Sequence, residues 1–531
     1  MQSFFQEDAE AFVEIEDRRK PSLQREKLPA LHPAKTGAAP IRLSSGMESG
    51  KNMGESNDFI AFHPANSPIF VRLFTEKMEK TSLVSLYECF LQSTGVATDS
   101  RHCPAGCLFF ALKGDRFNGN LFAAGALADG AAYAVIDQPE ALPAGAETDP
   151  RYLRVDNALQ ALQQLAAHHR RQLGTPMLAI TGTNGKTTTK ELVSAVLEKK
   201  FRILHTEGNL NNHIGVPLTL LRLRREHELA VVEMGASHPG DIKELVEIAD
   251  PDYGLITNVG RAHLEGFGSF EGVVRTKGEL YDYLRRKGAP VFVNACNPHL
   301  TPLLDGLKPL YYAASEPLPA LPEGRMLVKA GRVKSDPFLS FVWQQAEEEG
   351  ISHTCRTNLI GIYNIDNALA AAAVGCFFGV PGAAVTEAIG SYAPGNGRSQ
   401  WKQTAHNRLI IDAYNANPTS MRASVENFAA MTAARKAVIL GDMKELGAGS
   451  AEEHAAVVRY VDSCGFLKNI YVGSEFAAAL GEMPEVADRA ECYETAEALV
   501  ADFRAKGMPE DYTFLIKGSN SMRLSHLAEV L

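Results

Sequence analysis

The chain has 531 residues, 45% of them hydrophobic and 22% charged, a balance that excludes wholesale disorder, collagen and low-complexity scaffolds. At about 150 residues per domain, that length predicts three domains, or four. Lys and Arg number 53 against 63 Asp and Glu, a net charge of −10, so no broad positive field draws in nucleic acid and any anionic ligand needs local donors. The longest uncharged apolar stretch, Ala368 to Val380, has 13 residues and two glycines, short of the ~20 that span a bilayer. The acidic opening, Met1 to Asp8, lacks the basic and apolar regions of a secretory signal. A cytoplasmic monomer without membrane insertion is expected.

Residues 1–80 carry prolines at 21, 29, 33, 40, 64 and 68 and no sustained period of 3.6 or 2, which predicts a disordered extension. Met78 stands just before the first amphipathic pattern (Leu83, Leu86, Phe90, Leu91) and is expected to be the initiator. Residues 81–160 read as a small α/β domain: Cys107 to Leu112, Ala131 to Ile136 and Tyr152 to Val155 are short apolar runs between turns. Eight cysteines are too sparse for a disulfide framework. Cys103 and Cys107 beside His102 lack the second pair that a tetrahedral zinc site needs.

A helix over Ala158 to Leu173 leads into a larger α/β domain, residues 161–393. Its predicted strands are Pro176 to Thr181, Leu229 to Glu233, Tyr253 to Val259 and Pro290 to Asn294, spaced as βαβ units of a mostly parallel sheet with helices on both faces. After Ala393-Pro394-Gly395-Asn396-Gly397 a third, Rossmann-like α/β domain (394–531) shows strands at Leu409 to Ala413, Ala437 to Leu440, Ile470 to Val472 and Phe514 to Ile516. The Pro394 to Gly397 segment is expected to act as a hinge.

The segment Leu178 to Leu192 is a strand, a glycine loop and a helix start in that order, with Gly182-Thr183-Asn184-Gly185-Lys186-Thr187-Thr188 at the turn. That order is the context a phosphate-binding loop requires. Gly182 and Gly185 let backbone N–H groups ring a phosphate, the helix N-terminus adds its dipole, Lys186 reaches the β and γ oxygens, and Thr187 is placed to ligate Mg²⁺. Ile180 stands where the longer pattern has its first glycine, so the loop is a shortened variant. ATP binding is therefore expected. Such a loop also needs a carboxylate on a neighbouring strand for the metal. Glu233 ends one strand, and His263 follows another in Thr257 to Glu265, where open α/β sheets place their chemistry.

With Glu233 to Ala236, Ala262 to Gly268, Lys277-Gly278-Glu279, Tyr363 to Ala368 and Gly397-Arg398, the loop completes six ordered motifs that resemble the Mur ligase family, ATP-dependent amide-forming enzymes of peptidoglycan precursor synthesis. The resemblance runs from about Thr98 to the C-terminus. Three segments, Gly208 to Leu220, Asp412 to Met421 and Gly441 to Gly447, are similar to the branch that joins D-alanyl-D-alanine to UDP-N-acetylmuramoyl-tripeptide. Segments Asp-Asn-Pro-Arg and Tyr-Ala-His-Asn-Pro of the branch that adds the third amino acid are absent.

The resemblance implies that Gly182, Thr183, Asn184, Gly185, Lys186, Thr187 and Thr188 bind ATP phosphates, and that Thr187, Glu233 and His263 serve Mg²⁺. Lys277 matches the family lysine that is often carbamylated, which would make it a further metal ligand. Asn367 would contact adenine, Arg398 the phosphates, and Asp412 the nucleotide from the third domain. Lys186, His263, Lys277 and Arg398 would form the catalytic set. Asp99, Ser100 and Arg101, with Ala111 to Gly114, match segments that hold the UDP portion. On the residues alone, Asp99-Ser100-Arg101 reads as an Asx turn with a surface arginine. Asn520 stands where the family has an arginine. The implied reaction phosphorylates the tripeptide carboxylate to an acyl phosphate, which the dipeptide amine then attacks. The sequence identifies no base for that amine and does not say whether the third peptide residue is diaminopimelate or lysine. Two readings compete: a folylpolyglutamate-type ligase, disfavoured by the first domain, and a non-catalytic nucleotide-binding module, disfavoured by the full phosphate and metal set.

Overall fold

The computed structural model describes residues 80–314, 320–348, 350–395 and 397–531. The expected tail and the Met78 start fall outside these, as does Asn396 at the centre of the expected hinge. The first helix, Leu83–Gln92, is capped by Ser82 and buries Leu86, Cys89 and Phe90. Leu91, read as part of its apolar face, is instead exposed, because it lies a third of a turn beyond the buried stripe.

Three α/β domains follow one another. The first is a four-stranded parallel sheet, ordered Val96–Ala97, Leu108–Phe110, Tyr133–Ile136 and Tyr152–Arg154. The third is a six-stranded sheet, ordered Gln400–Gln403, Arg408–Asp412, Thr513–Lys517, Lys436–Gly441, Lys468–Val472 and Ala490–Tyr493, parallel except at its first pair.

The middle sheet has nine strands. Met177–Thr181 lies between Leu229–Glu233 on one side and Tyr253–Ile256 on the other. The chain therefore leaves the C-terminal end of Met177–Thr181 at a point where the winding reverses, the crevice that open α/β sheets use for ligands. Alternation decides the two faces. Met177 and Ala179, Ala230 and Val232, and Val291 and Val293 enter one core. Leu178 and Ile180, Leu229 and Val231, and Phe292 enter the other, as period-2 side-chain direction requires. The apolar stretch from Ala368 forms the buried helix Ile365–Phe377 on the second face. It packs so closely on the loop helix Lys186–Leu197 that a Cβ on Gly375 would lie 2.4 Å from Val196 Cγ1. No helix among the described residues is long and apolar enough to cross a membrane.

The middle sheet is mostly parallel, as expected: it is parallel through Arg325–Ser335, after which Phe338–Gln345 and His353–Ile360 add two antiparallel strands. No strand was expected between residues 308 and 360. Inward positions of His353–Ile360 include Cys355 and Thr357, so its alternation is weak in hydrophobicity. The strand expected to reach Val259 stops at Ile256. Residues Thr257 to Val259 turn away because their polar groups hold the glycine loop.

Candidate functional site

Gly182 and Gly185 have φ of +143° and +77°, a region that side chains with a Cβ avoid. A Cβ on Gly182 would also sit 2.0 Å from Thr257 Oγ1, and one on Gly185 2.5 Å from Asn367 Oδ1. The loop between them is held from the neighbouring strand end. Asn184 N–H donates to Asn258 Oδ1 (3.0 Å), and Thr183 N–H to Asn258 O (2.9 Å). Thr257 Oγ1 donates to Asn184 O (2.7 Å). Gly185 then caps the helix Lys186–Leu197, whose first N–H groups open onto the crevice.

A cleft of about 920 Å³ runs from this loop to the third sheet. Thr183 to Thr188, Glu233, His263, Asn367, Arg398 and Asp412 all line it, although they come from strand ends up to 230 positions apart. Lys186 Nζ donates to the carbonyls of Gly182 (2.8 Å) and Thr183 (3.1 Å). Burial pushes its pKa down, Glu233 opposes that shift, and Arg398 adds to it. Thr187 Oγ1 (3.2 Å) and Asn211 Nδ2 (2.8 Å) both donate to Glu233 Oε1. Glu233 Oε2 is buried without a partner. An orphaned carboxylate oxygen beside a hydroxyl at the mouth of a phosphate loop is the donor set that a hard divalent cation takes.

Lys277 lies behind the cleft wall on the helix Phe270–Lys287 and is 2% exposed. Its Nζ reaches Ala236 O at 3.5 Å and stands 5.3 Å from the Phe267 ring centre. Burial first, and the charge of Lys186 second, push its pKa well down. Arg398 stacks its guanidinium 3.8 Å from the Tyr414 ring centre, with Nε buried and unpartnered. Asp412 sits between Lys517 Nζ (2.6 Å), Ser424 Oγ (2.9 Å) and Ser399 N–H (3.2 Å). Burial raises its pKa, but Lys517 and the hydrogen bonds outweigh that and hold it low. Asn367 uses its amide on Thr189 Oγ1 (3.0 Å) and Asn364 Oδ1 (2.8 Å), beneath the loop.

The first-domain triplet lies elsewhere. Asp99 accepts from Arg101 N–H (3.0 Å) and Arg101 Nε (2.9 Å), with Arg101 Nη2 2.7 Å from its other oxygen. This is the Asx-turn geometry that the residues alone suggest. Asp99, Ser100 and Arg101 do not line the central cleft. They and Lys113-Gly114 follow the ends of two neighbouring parallel strands, so both segments leave the same edge of the first sheet.

Several lining residues carried no assigned role: Asn211, Tyr414, Glu445, Lys517 and Asp366. Burial raises the Asp366 carboxyl to about 6, against a hydrogen bond from Asn294 that lowers it. The two halves of the cleft also touch directly. Asn417 Nδ2 donates to Asn184 Oδ1 (2.8 Å), and Arg261 N–H donates to Thr419 Oγ1 (3.1 Å). The signal for Asn417 was present as an Asn-Pro helix start with Ser three residues on, which forms a capping box over Pro418–Ala430. The Lys517–Asp412 pair joins positions 105 apart and has no local signal.

Family models for Mur ligases match three stretches: the Mur ligase family catalytic domain at 92–170, the middle domain at 180–375, and the glutamate ligase domain at 397–520. A UDP-N-acetylmuramoyl-tripeptide–D-alanyl-D-alanine ligase of Escherichia coli is 34% identical over 449 residues, covering 82% of this chain and 93% of its own. The Bacillus subtilis protein of that name is 36% identical over 361 residues, 66% of this chain and 74% of its own. The crystal structure of MurF from Acinetobacter baumannii superposes with a TM-score of 0.73 at 30% identity, covering 86% of this chain and 99% of that one.

Proposed function

The chain belongs to the Mur ligase family, and from that premise we propose how its cleft performs the reaction. It is an ATP-dependent ligase of peptidoglycan precursor synthesis that joins D-alanyl-D-alanine to UDP-N-acetylmuramoyl-tripeptide. The observation that carries the site assignment is the buried, unpartnered Glu233 Oε2 beside Thr187, opposite Arg398 across the cleft.

Residues Gly182 to Thr188 bind the phosphates of ATP, Lys186 reaching the terminal ones and Arg398 closing on them from the third domain. Thr187, Glu233 and His263 would hold Mg²⁺, which would neutralise phosphoryl charge. The tripeptide carboxylate attacks the γ-phosphorus in line and ADP leaves. Both reactants are anions, so Lys186 and Arg398 offset their repulsion and stabilise the charge that spreads in the transition state. The dipeptide amine attacks the resulting acyl carbon, and the tetrahedral species expels phosphate. Lys277 suits carbamylation: its burial favours the neutral amine, the form that adds CO₂ to give a carbamate and a proton. Asn367 supports the loop from beneath, and Asp412 orders the nucleotide face through Ser399 beside Arg398. Residues 81–160 form the UDP-binding unit, with Asp99, Ser100, Arg101 and Lys113 at one sheet edge. Residues 161–393 bind ATP, and 394–531 complete the site. Free thiols at all eight cysteines suit a reducing, cytoplasmic setting.

The test is phosphate release from ATP and Mg²⁺ with UDP-N-acetylmuramoyl-tripeptide, with and without D-alanyl-D-alanine, and product mass. Release that needs both substrates is expected. A requirement for a dipeptide-linked substrate and a free amino acid would overturn the reading.

A further inference from the structure

His263 and Glu445 come from different sheets and meet at the cleft, where the Glu445 carboxylate lies in ion-pair contact with His263 Nδ1, a buried nitrogen with no hydrogen-bond partner. Side chains this open to solvent contribute little stability by pairing, yet both residues hold unusual backbones. His263 has φ +49° and Glu445 φ +65°, left-handed conformations that non-glycine residues rarely adopt and that cluster at functional sites. The Glu445 loop is rigidly supported. Buried Asp442 accepts from Glu475 N–H (3.2 Å) and Phe476 N–H (3.1 Å). Met443 N–H donates to His454 Nε2 (3.0 Å), and Lys444 N–H to Ser519 Oγ (3.0 Å). On the other side Gly447 abuts Glu265, where a Cβ would meet Glu265 Cβ at 3.3 Å. The third domain thus delivers one carboxylate to one imidazole nitrogen at a fixed place.

We propose that Glu445 is a positioning residue for His263: it accepts the Nδ1 proton, fixes the ring, and leaves Nε2 as the nitrogen available to the phosphoryl site. A carboxylate on the far nitrogen of a ligating histidine sets its tautomer and direction and raises its basicity. The inference rests on the proposed reading of His263 as a ligand of nucleotide-bound metal, and it makes that ligand depend on a residue from another domain. Seating of the third domain against the middle one then becomes a condition for a complete metal site.

The test uses the full chain with ADP, titrating Mn²⁺ and reading free Mn²⁺ by electron paramagnetic resonance, alongside kcat and KM for the UDP-tripeptide. Glu445→Ala is expected to weaken Mn²⁺ about 10–100-fold and to lower kcat with KM unchanged. Glu445→Gln keeps an oxygen that accepts from Nδ1–H and is expected to recover part of both. Wild-type Mn²⁺ affinity in Glu445→Ala together with weak binding in His263→Ala would overturn the positioning role alone, as would equal losses in the Ala and Gln variants. Unchanged affinity in His263→Ala would remove the metal reading and the inference with it.

Discussion

The two walls of the cleft are built by different means. The glycine-loop wall is local: seven consecutive residues, Gly182 to Thr188, turn off one buried strand and present backbone N–H groups at a helix start. The opposite wall is assembled from distant side chains, Arg398 on Tyr414, Asp412 on Lys517, and Glu445 on a loop held by His454. A backbone-built wall tolerates change outside its glycines and lysine. A side-chain-built wall fails whenever one partner of a buried pair is lost.

The sharpest division between the walls is therefore expected from one substitution on each. Lys186→Ala removes the charge proposed to meet the terminal phosphates and should lower turnover by at least about 10³-fold, the scale of losing a transition-state charge stabiliser, with an unchanged unfolding midpoint. Asp412→Ala leaves Lys517, whose side chain is 2% exposed, charged and unpaired, and should cost about 3–5 kcal/mol in denaturant unfolding. If Asp412→Ala spared stability and lost only activity, the second wall would be catalytic rather than structural at this point.

Asp366 gives a pH-dependent version of the same comparison. Its folded pKa of about 6 lies above the ordinary 3.8 because of burial, so the native state holds the proton more tightly than the unfolded chain. Stability from this group is present in full below about pH 4 and is lost as pH rises through about 6, a change on the order of 2–3 kcal/mol. Asp366→Asn should remove that slope, so the stability difference between variant and parent should move between pH 4 and 6 and stay flat above it. A difference that does not change over that window would show that Asp366 titrates as an exposed carboxylate does.

Legibility in the sequence follows the same line. Strands such as Pro290–Asn294 and the helix Ala158–Leu173 match their expected bounds, because continuous apolar runs and a capping Asn157 are local signals. The glycine loop, Glu233 and His263 were legible for the same reason. What escaped depended on contacts remote in sequence: the antiparallel strands up to Ile360, whose inward positions include Thr and Cys, the Lys517–Asp412 pair, and the meeting of Glu445 with His263. Asn367 is assigned to adenine from resemblance; it lines the cleft, and its amide also bonds within the protein, to Thr189 and Asn364. No spacing in the chain tells these two uses apart.

The smallest effect lies where the walls touch, and it separates two jobs of one side chain. Asn417 caps the helix Pro418–Ala430 by accepting from Ser420 N–H (2.9 Å), and its Nδ2 donates to Asn184 Oδ1 (2.8 Å) in the glycine loop. Asn417→Ala loses both and should cost about 1 kcal/mol of stability, the usual value of a lost cap. Asn417→Asp keeps an oxygen for the cap but has no amide donor for Asn184, and it places a negative charge beside the phosphate loop. Its stability should equal that of the parent in denaturant unfolding, while its KM for ATP should rise. If both variants bound ATP like the parent, the Asn184–Asn417 contact would be packing between domains and no part of the nucleotide site.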